Sequence, residues 1–297
     1  MQHAVVIPST GRPDVVGATV SALAAQSVAP DAIVVCVVDE DDVPGSVRDQ
    51  ARVQVVVAER GSSVQRNAAY QALAEEPDLF TFLDDDIVLR DDYFAQVRGF
   101  FAREPDVVLM TGLVVEDGSA RGEIARSTAL EVLSSTSVEV TQRDVRAAYG
   151  CNMTARGRIV RDEPFDERLR LYAWQEDNDF SVRAGRHGRV VHYHGCVCVH
   201  LAVGAGRVRG RAFGFAQVVN PYYMWRKGTK TGHELAREWS RYVGSNAAHA
   251  VRLRRSDRPD RAGRLMGNLL GFREVVFGGG RPEMVEKVAG AEKVRAE

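Results

Sequence analysis

Four short apolar runs, at residues 4–8, 33–38, 53–57 and 80–83, alternate with helix-spaced segments over the first ninety residues, and that alternation leaves few architectures open. The first helical segment opens at Pro13 and carries Val16, Val20, Leu23 and Ala24 on one face before Pro30 ends it. Another begins in Gly61-Ser62-Ser63-Val64-Gln65-Arg66-Asn67 and runs through Ala72 and Leu73. Strands alternating with helices predict an α/β fold with a Rossmann-like, mainly parallel central sheet and right-handed crossovers, its ligands held over the carboxyl ends of the strands. Two of those ends are acidic. The run at 33–38 leads into Asp39-Glu40-Asp41-Asp42, and the run at 80–83 stops at Asp84-Asp85-Asp86. Three adjacent carboxylates repel one another, so at the end of a central strand they form an oxygen-rich seat for a hard divalent cation that can also hold phosphates. A solvated acidic turn is the plainer alternative, and the apolar run before the triplet weighs against it.

A chain of 297 residues with 45% hydrophobic content can bury the core of one large α/β domain with an appendage. Lys+Arg 39 against Asp+Glu 40 gives a net charge of -1, so no global field argues for nucleic acid as a partner. No apolar run approaches the ~18 residues that would span a bilayer, and Met1-Gln2-His3 leads straight into a strand. A cytoplasmic location is therefore expected. Cys36, Cys151, Cys196 and Cys198 are scattered, which predicts reduced thiols rather than a disulfide framework. On a strand, His192, His194, Cys196, Cys198 and His200 share one face, which leaves a zinc site open although the C-x-C spacing is shorter than usual.

Further along, residues 107–115 read as a strand and Glu116-Asp117-Gly118-Ser119 as a turn. The polar stretch 121–144 contains Ser134-Ser135-Thr136-Ser137, which reads as a mobile loop over the active site or a plain surface connection. Glu176-Asp177 follows Trp174 and precedes Phe180, a helix start with acids in its first turn. The glycine- and arginine-rich segment 204–211 suits either a lid over a diphosphate or a flexible basic linker. After Asn220-Pro221 comes an aromatic and basic stretch, then helix-spaced Leu235, Trp239, Tyr242, Asn246 and Ala250. A run of arginines precedes an apolar stripe from Leu265 to Val276. Basic charge beside such a stripe fits a peripheral contact with the inner membrane face, packing on the chain's own domain, or a homodimer.

Taken in order, strand-Pro8-Ser9-Thr10-Gly11-Arg12-Pro13, Val-Val-Asp39, Gly61 through Arg66-Asn67, and Leu83-Asp84-Asp85-Asp86 resemble the motifs of family 2 glycosyltransferases of GT-A fold. Tyr149-Gly150-Cys151-Asn152-Met153, Phe165-Asp166-Glu167, Trp174 through Phe180 and the strand-terminal His200 extend that resemblance over two-thirds of the chain. It implies a GT-A domain over residues 1–220, with a nucleotide-sugar half to about 115 and an acceptor half from 116, and a helical extension over 221–297. It further implies a nucleotide-diphosphate sugar as donor and a hydroxyl on a glycan, lipid-linked or small-molecule acceptor. Pro8, Thr10, Arg12, Asp39, Arg66, Asp84 and Asp85 would face the donor, with Asp84 toward the ribose. Asp86 and His200 would ligate Mn2+ or Mg2+, the imidazole tilting the choice toward manganese. Asp177 would be the general base of an inverting transfer, and Trp174, Glu176 and Asn152 would line the acceptor side. Arg66 has a structural reading too, as partner of an acid such as Asp39. Two departures stand out: Cys151 takes the place of a glycine, and Glu40-Asp41-Asp42 stands where Asp-Gly-Ser usually follows Asp39. The alternatives are a retaining transferase on the same fold, a sugar-nucleotide-binding protein without turnover, and a zinc-organised interaction domain.

Overall fold

The structure, a computed structural model, describes residues 1–204, 210–251 and 258–293. Residues 205–209, most of the glycine- and arginine-rich segment read as a lid or a linker, lie outside the described residues. The chain forms two compact units, one of Met1–Arg60, Val64–Phe165 and Phe180–Gly206, the other of Gly61–Ser63, Asp166–Asp179 and Arg207–Glu297.

The first unit is built on strands β1 (His3–Pro8), β2 (Ala32–Val37), β3 (Val53–Val57), β4 (Leu79–Leu83), β5 (Ile87–Leu89), β6 (Val107–Asp117), β7 (Gln142–Asp144), β8 (Asn152–Arg156) and β9 (Arg189–His200). They lie in one sheet in the order β3-β2-β1-β4-β8-β6-β9-β5, with β7 also on β9. The strands β3, β2, β1 and β4 are parallel, as the β-α-β pattern predicts, with Val5 opposite both Ile33 and Thr81. Beyond β4 the sheet turns mixed: β8 is antiparallel to β4 and β6, while β6 and β9 run parallel. Around it stand α1 (Pro13–Ala24), α2 (Gly45–Arg48), α3 (Ser62–Gln71), α4 (Tyr93–Arg103), α5 (Gly118–Arg121), α6 (Arg126–Ser135), α7 (Gly157–Asp162) and α8 (Glu176–Ala184).

Because side chains alternate along a strand, the parallel strands feed two cores at once. Val5, Ile7, Val35, Leu79 and Leu83 meet Val16, Val20 and Leu23 of α1 and Phe94 and Val97 of α4 on one face. Ala4, Val6, Val34, Phe80 and Phe82 meet Ile159, Phe165 and Phe180 on the other. This is why those runs are continuously apolar.

Two expectations need correcting. The segment around Ser134-Ser135 is not a loop but the end of α6, since Ala129 and Leu133, four residues apart, bury one face against Val88, Val197 and Val199. The hydroxyls of Ser135 and Thr136 donate to the carbonyls of Glu131 and Val132, closing the helix end. Nor are Glu116 and Asp117 a turn, because β6 continues through them along β9.

His3 is wholly buried, its Nε2 2.6 Å from Thr81 Oγ1, which in turn lies 2.7 Å from Thr154 Oγ1. Burial, aided by Arg98 and opposed by Asp31, lowers its pKa to about 3. The folded protein therefore keeps His3 neutral while the unfolded chain binds a proton below about pH 6.5, so stability falls as pH drops through that range, by up to about 1.4 kcal/mol per unit. Denaturant unfolding of His3→Gln between pH 7 and 4 is expected to show a flatter acid limb than the parent; parallel limbs would rule out His3 as its source.

In the second unit, α9 (Gly210–Lys227), α10 (Gly232–Val251), α11 (Arg258–Arg273) and α12 (Val285–Lys293) pack together, and a π turn at Glu274–Gly278 continues α11. α9 runs unbroken through Asn220 and Pro221. Its backbone approaches α11 where both are glycine: a Cβ on Gly214 would stand 2.0 Å from the Arg264 carbonyl oxygen, and one on Gly267 2.1 Å from that of Arg211. Beside this seam Asn246 donates to Gln217 and Asn268, and Asn268 donates to the Gly214 carbonyl, so the buried amides are satisfied by one another.

Candidate active site

The acidic triplet sits where β4 ends. Asp84 N–H donates to the Cys151 carbonyl, and the chain turns before β5 begins at Ile87. The turn points the three carboxylates differently. Asp85 is fully buried, accepting from the Ser9 hydroxyl and lying 2.6 Å from Arg12, while Thr19 donates to its backbone carbonyl. Asp85 thus acts as an internal strut between β1 and α1, its carboxyl pushed up to about 7 by burial against the pull of Arg12.

Asp84 and Asp86 turn to the other side and meet His200, the last residue of β9. His200 Nε2 lies 3.3 Å from Asp86 Oδ1 and 3.8 Å from Asp84 Oδ2, and one ligand atom from each of the three residues falls within 4.8 Å of the others. The second oxygen of Asp86 is held by the Val203 N–H at 2.8 Å and by Arg12 at 3.5 Å. His200 Nδ1 is 2.9 Å from Asp117 Oδ1, the residue opposite it in the β6–β9 register. Asp117 is itself fixed by the Ser119 N–H and the Tyr149 hydroxyl. Burial opposes a charge on His200, but Asp117, Asp86 and Asp84 outweigh it and raise its pKa to about 10. Against the burial that would raise it, His200 and Ser119 hold Asp117 below the ordinary carboxylate range.

Two carboxylates and an imidazole converging within one coordination sphere fit a divalent metal of the manganese or magnesium type. The Nδ1–Asp117 bond leaves Nε2 aimed at the two ligand carboxylates, as an outer carboxylate does for a metal-bound histidine. Sequence reading passed over Asp117 and Tyr149, because neither is near His200 in the chain. Asp117→Asn is expected to weaken Mn2+ binding by about 10–100-fold with unchanged far-UV dichroism; calorimetric titration giving parent affinity would separate Asp117 from the site.

Other candidates around this end of the sheet take varied places. Pro8 and Thr10 lie at the carboxyl end of β1, the Thr10 hydroxyl donating to the Ser9 carbonyl. Asp39, exposed at the end of β2, accepts from the Asp41 N–H. Arg66 is buried, donating to the Gly150 carbonyl, 3.7 Å from Asp84 and packed over the Phe82 and Phe165 rings. It pairs with Asp84, where the structural reading had suggested Asp39. Asn152 is fully buried, accepting from Thr111 and donating to Cys198 Sγ.

Cys196 and Cys198 are not metal ligands in this arrangement. Both thiols are buried, burial raises the Cys198 pKa to about 12, and the only His/Cys/Asp/Glu metal group among the described residues is Asp84, Asp86 and His200. A register irregularity after Tyr193 breaks the alternation that put all five His and Cys residues on one face.

The acids before and in α8 belong, up to Asp179, to the second unit. Leu171, Ala173 and Gln175 all have positive φ, at 58°, 46° and 71°, a concentration of strained non-glycine backbone in five residues. The strain is held in place: Asn220 donates to the Trp174 carbonyl, Gln175 to Glu238, and the Ser62 N–H to the Leu171 carbonyl. Four of these acids have different surroundings. Asp179 is buried on Lys227 and Thr229, Asp166 accepts from Lys227 and Tyr223, and Glu176 from Ser62. Asp177 is half-buried and accepts from the Asn178 N–H and side-chain amide. Trp174 packs among Tyr172, Phe213 and Tyr242.

A family model described as "Glycosyltransferase like family 2" matches residues 2–217. Among solved structures, the chain resembles S. aureus TarS 1-349, also solved in complex with UDP-GlcNAc, at 15% identity and a TM-score of 0.57, covering 97% of this chain and 83% of that one. It resembles the mannosyltransferase PcManGT from Pyrobaculum calidifontis in complex with GDP-Man and Mn2+ at 13% identity and 0.56, covering 91% and 87%. GalNAc-T7 with UDP, GalNAc and Mn2+ follows at 12% and 0.54, covering 92% and 54%. At these identities the likeness is one of fold. No curated protein sequence matches the chain.

Proposed function

The chain belongs to glycosyltransferase-like family 2, and from that premise we propose that it moves a sugar from a nucleotide-diphosphate sugar to an acceptor hydroxyl by a metal-dependent, inverting transfer. The observation that carries this reading is the convergence of Asp84, Asp86 and His200 at the end of β4. A divalent ion there would supply Lewis-acid stabilisation of the charge on the departing diphosphate. Asp86 offers the best-fixed oxygen, since Val203 and Arg12 orient its carboxylate. His200 offers Nε2 once its proton is displaced, and Asp117 keeps the ring from turning. The imidazole favours manganese over magnesium. Asp84 lies at the exposed side of the group, 38% accessible, where a ribose hydroxyl can reach it.

On the acceptor side, Asp177 is the proposed base. The family-like placement of Glu176-Asp177 after Trp174 and before Phe180 supports that role, and a strained segment with Trp174 leads into it. It takes the acceptor proton as the new bond forms at the anomeric carbon and the bond to the diphosphate oxygen breaks; one displacement opposite the leaving group inverts the anomer. The acceptor is a glycan, lipid-linked or small-molecule hydroxyl.

The neighbours' UDP-GlcNAc and GDP-Man make uridine and guanosine diphosphate sugars the first donors to try. Thermal unfolding with UDP, GDP and dTDP sugars, each with and without Mn2+, is expected to show stabilisation by one nucleotide that depends on the metal, since a ligand bound only by the folded state at 100-fold over its Kd contributes about 2.7 kcal/mol. Absence of any shift across the panel would sink the donor-site reading.

A further inference from the structure

Charge is divided along this chain. Residues 207–297 carry 19 Lys and Arg against 9 Asp and Glu, whereas residues 1–206 carry 20 against 31. A near-neutral total thus hides a strongly cationic C-terminal segment. The second unit also exposes apolar side chains that a water-facing helix has no use for: Met266 is 46% accessible, Leu269 58%, Val276 68% and Phe277 84%. On α11 and the π turn that prolongs it, these four fall within roughly a 100° arc.

Next to this stripe is a groove of about 480 Å³. Phe215, Leu270 and Phe277 give its apolar lining, and Arg273, Arg281 and Lys287 stand around it. Glu274 also lines it but is held by Arg281 at 2.9 Å. Among the described residues, Arg273 and Lys287 take part in no ion pair, so the groove keeps a positive excess. Gly279 and Gly280, with φ of 84° and 71°, turn the chain two and three residues after Phe277 and leave that ring exposed at the tip.

An apolar tip ringed by cations matches an anionic lipid surface, whose phosphates meet the cations while its acyl boundary takes up the tip. A second copy fits less well, because it would bring two cationic segments together. A nucleic-acid backbone would pair with the arginines and leave Val276 and Phe277 without a role. No helix among the described residues is long and apolar enough to cross a membrane, so the contact would be peripheral. We propose that the face formed by α11, the π turn and α12 docks on an anionic membrane surface, with Val276 and Phe277 entering the interfacial layer and Arg273 and Lys287 on lipid phosphates. This stands apart from the transferase reading.

The test is co-sedimentation of the full chain with phosphatidylcholine vesicles, with and without phosphatidylglycerol, at low and high salt. Binding is expected only to the anionic vesicles and to weaken with salt. V276S/F277S should lower partitioning roughly 10- to 100-fold, and R273Q/K287Q roughly tenfold. Both pairs are surface changes, and an unchanged Tm checks that. Equal binding to neutral vesicles, parent-level binding by both variants, or a vesicle-independent dimer in sedimentation equilibrium that V276S/F277S abolishes would each overturn the proposal.

Discussion

Asp86→Ala is expected to lower transfer by about 10³-fold or more and to abolish Mn2+-dependent stabilisation by the donor nucleotide. The magnitude follows from geometry. Asp86 is the least exposed of the two ligand carboxylates, its oxygens shared among His200, Val203 and Arg12, so its removal strips the site of a ligand and leaves His200 and Arg12 short of a counter-charge. Asp86→Asn keeps the shape and the hydrogen bond from Val203, and should lose metal binding with less effect on Tm. Single-turnover assays over a Mn2+ series, read beside calorimetric metal titration, measure both. Parent-level transfer by Asp86→Asn in chelator would show that no metal is needed, and with it the central proposal fails.

Asp177→Asn should behave differently. Loss of a general base costs about 10²–10⁴-fold in kcat, whereas donor and metal binding should remain at parent levels because Asp177 is not among the metal group. Flattening of the acid limb of the kcat profile in the variant would tie the loss to proton transfer. Near-parent turnover would remove Asp177 from the chemistry. Product analysis by NMR on the parent enzyme, expected to give the inverted anomer, separates this reading from retention on the same fold.

The difference between what was legible in the chain and what was not comes down to how far apart the interacting residues are. The parallel half of the sheet declares itself because its strands are short apolar runs, doubly buried in β1, β2 and β4, flanked by helix-period segments, a local signal. Asp86 and His200 are readable as metal ligands, and Asp84 as their ribose-facing neighbour, through the family motifs they terminate; that all three converge is visible only in the structure. Asp117 is not, because its role arises from pairing with His200, 83 residues away, in a β6–β9 register that contains three irregularities. The opposite orientation of Asp85 is equally invisible: three identical letters give no sign of which one Ser9 and Arg12 will draw inward. The internal partners of Arg66 and Asn152 are hidden for a related reason, since a polar residue type at a motif position does not say that it is buried or which distant carbonyl, hydroxyl or thiol it meets. The helix α6 was hidden because its serines signal a loop while its apolar face is narrow, with Ala129 and Leu133 buried and Val132 partly so.

The glycine seam of the second unit sets the mutational tolerance of α11. Where the Arg211 carbonyl oxygen stands 2.1 Å from the Cβ position of Gly267, even alanine forces the helices apart, and each larger residue compounds the displacement. Residues on the outward side, such as Met266 and Leu269, meet no such wall. A randomised library over residues 263–271 selected for folding should therefore return glycine at 267, favour small residues at 263 and 271, keep the buried Asn268, and vary freely at the outward Met266 and Leu269. The helix would read as a ratchet with four-residue teeth: closed to change along one edge, open for new function along the other.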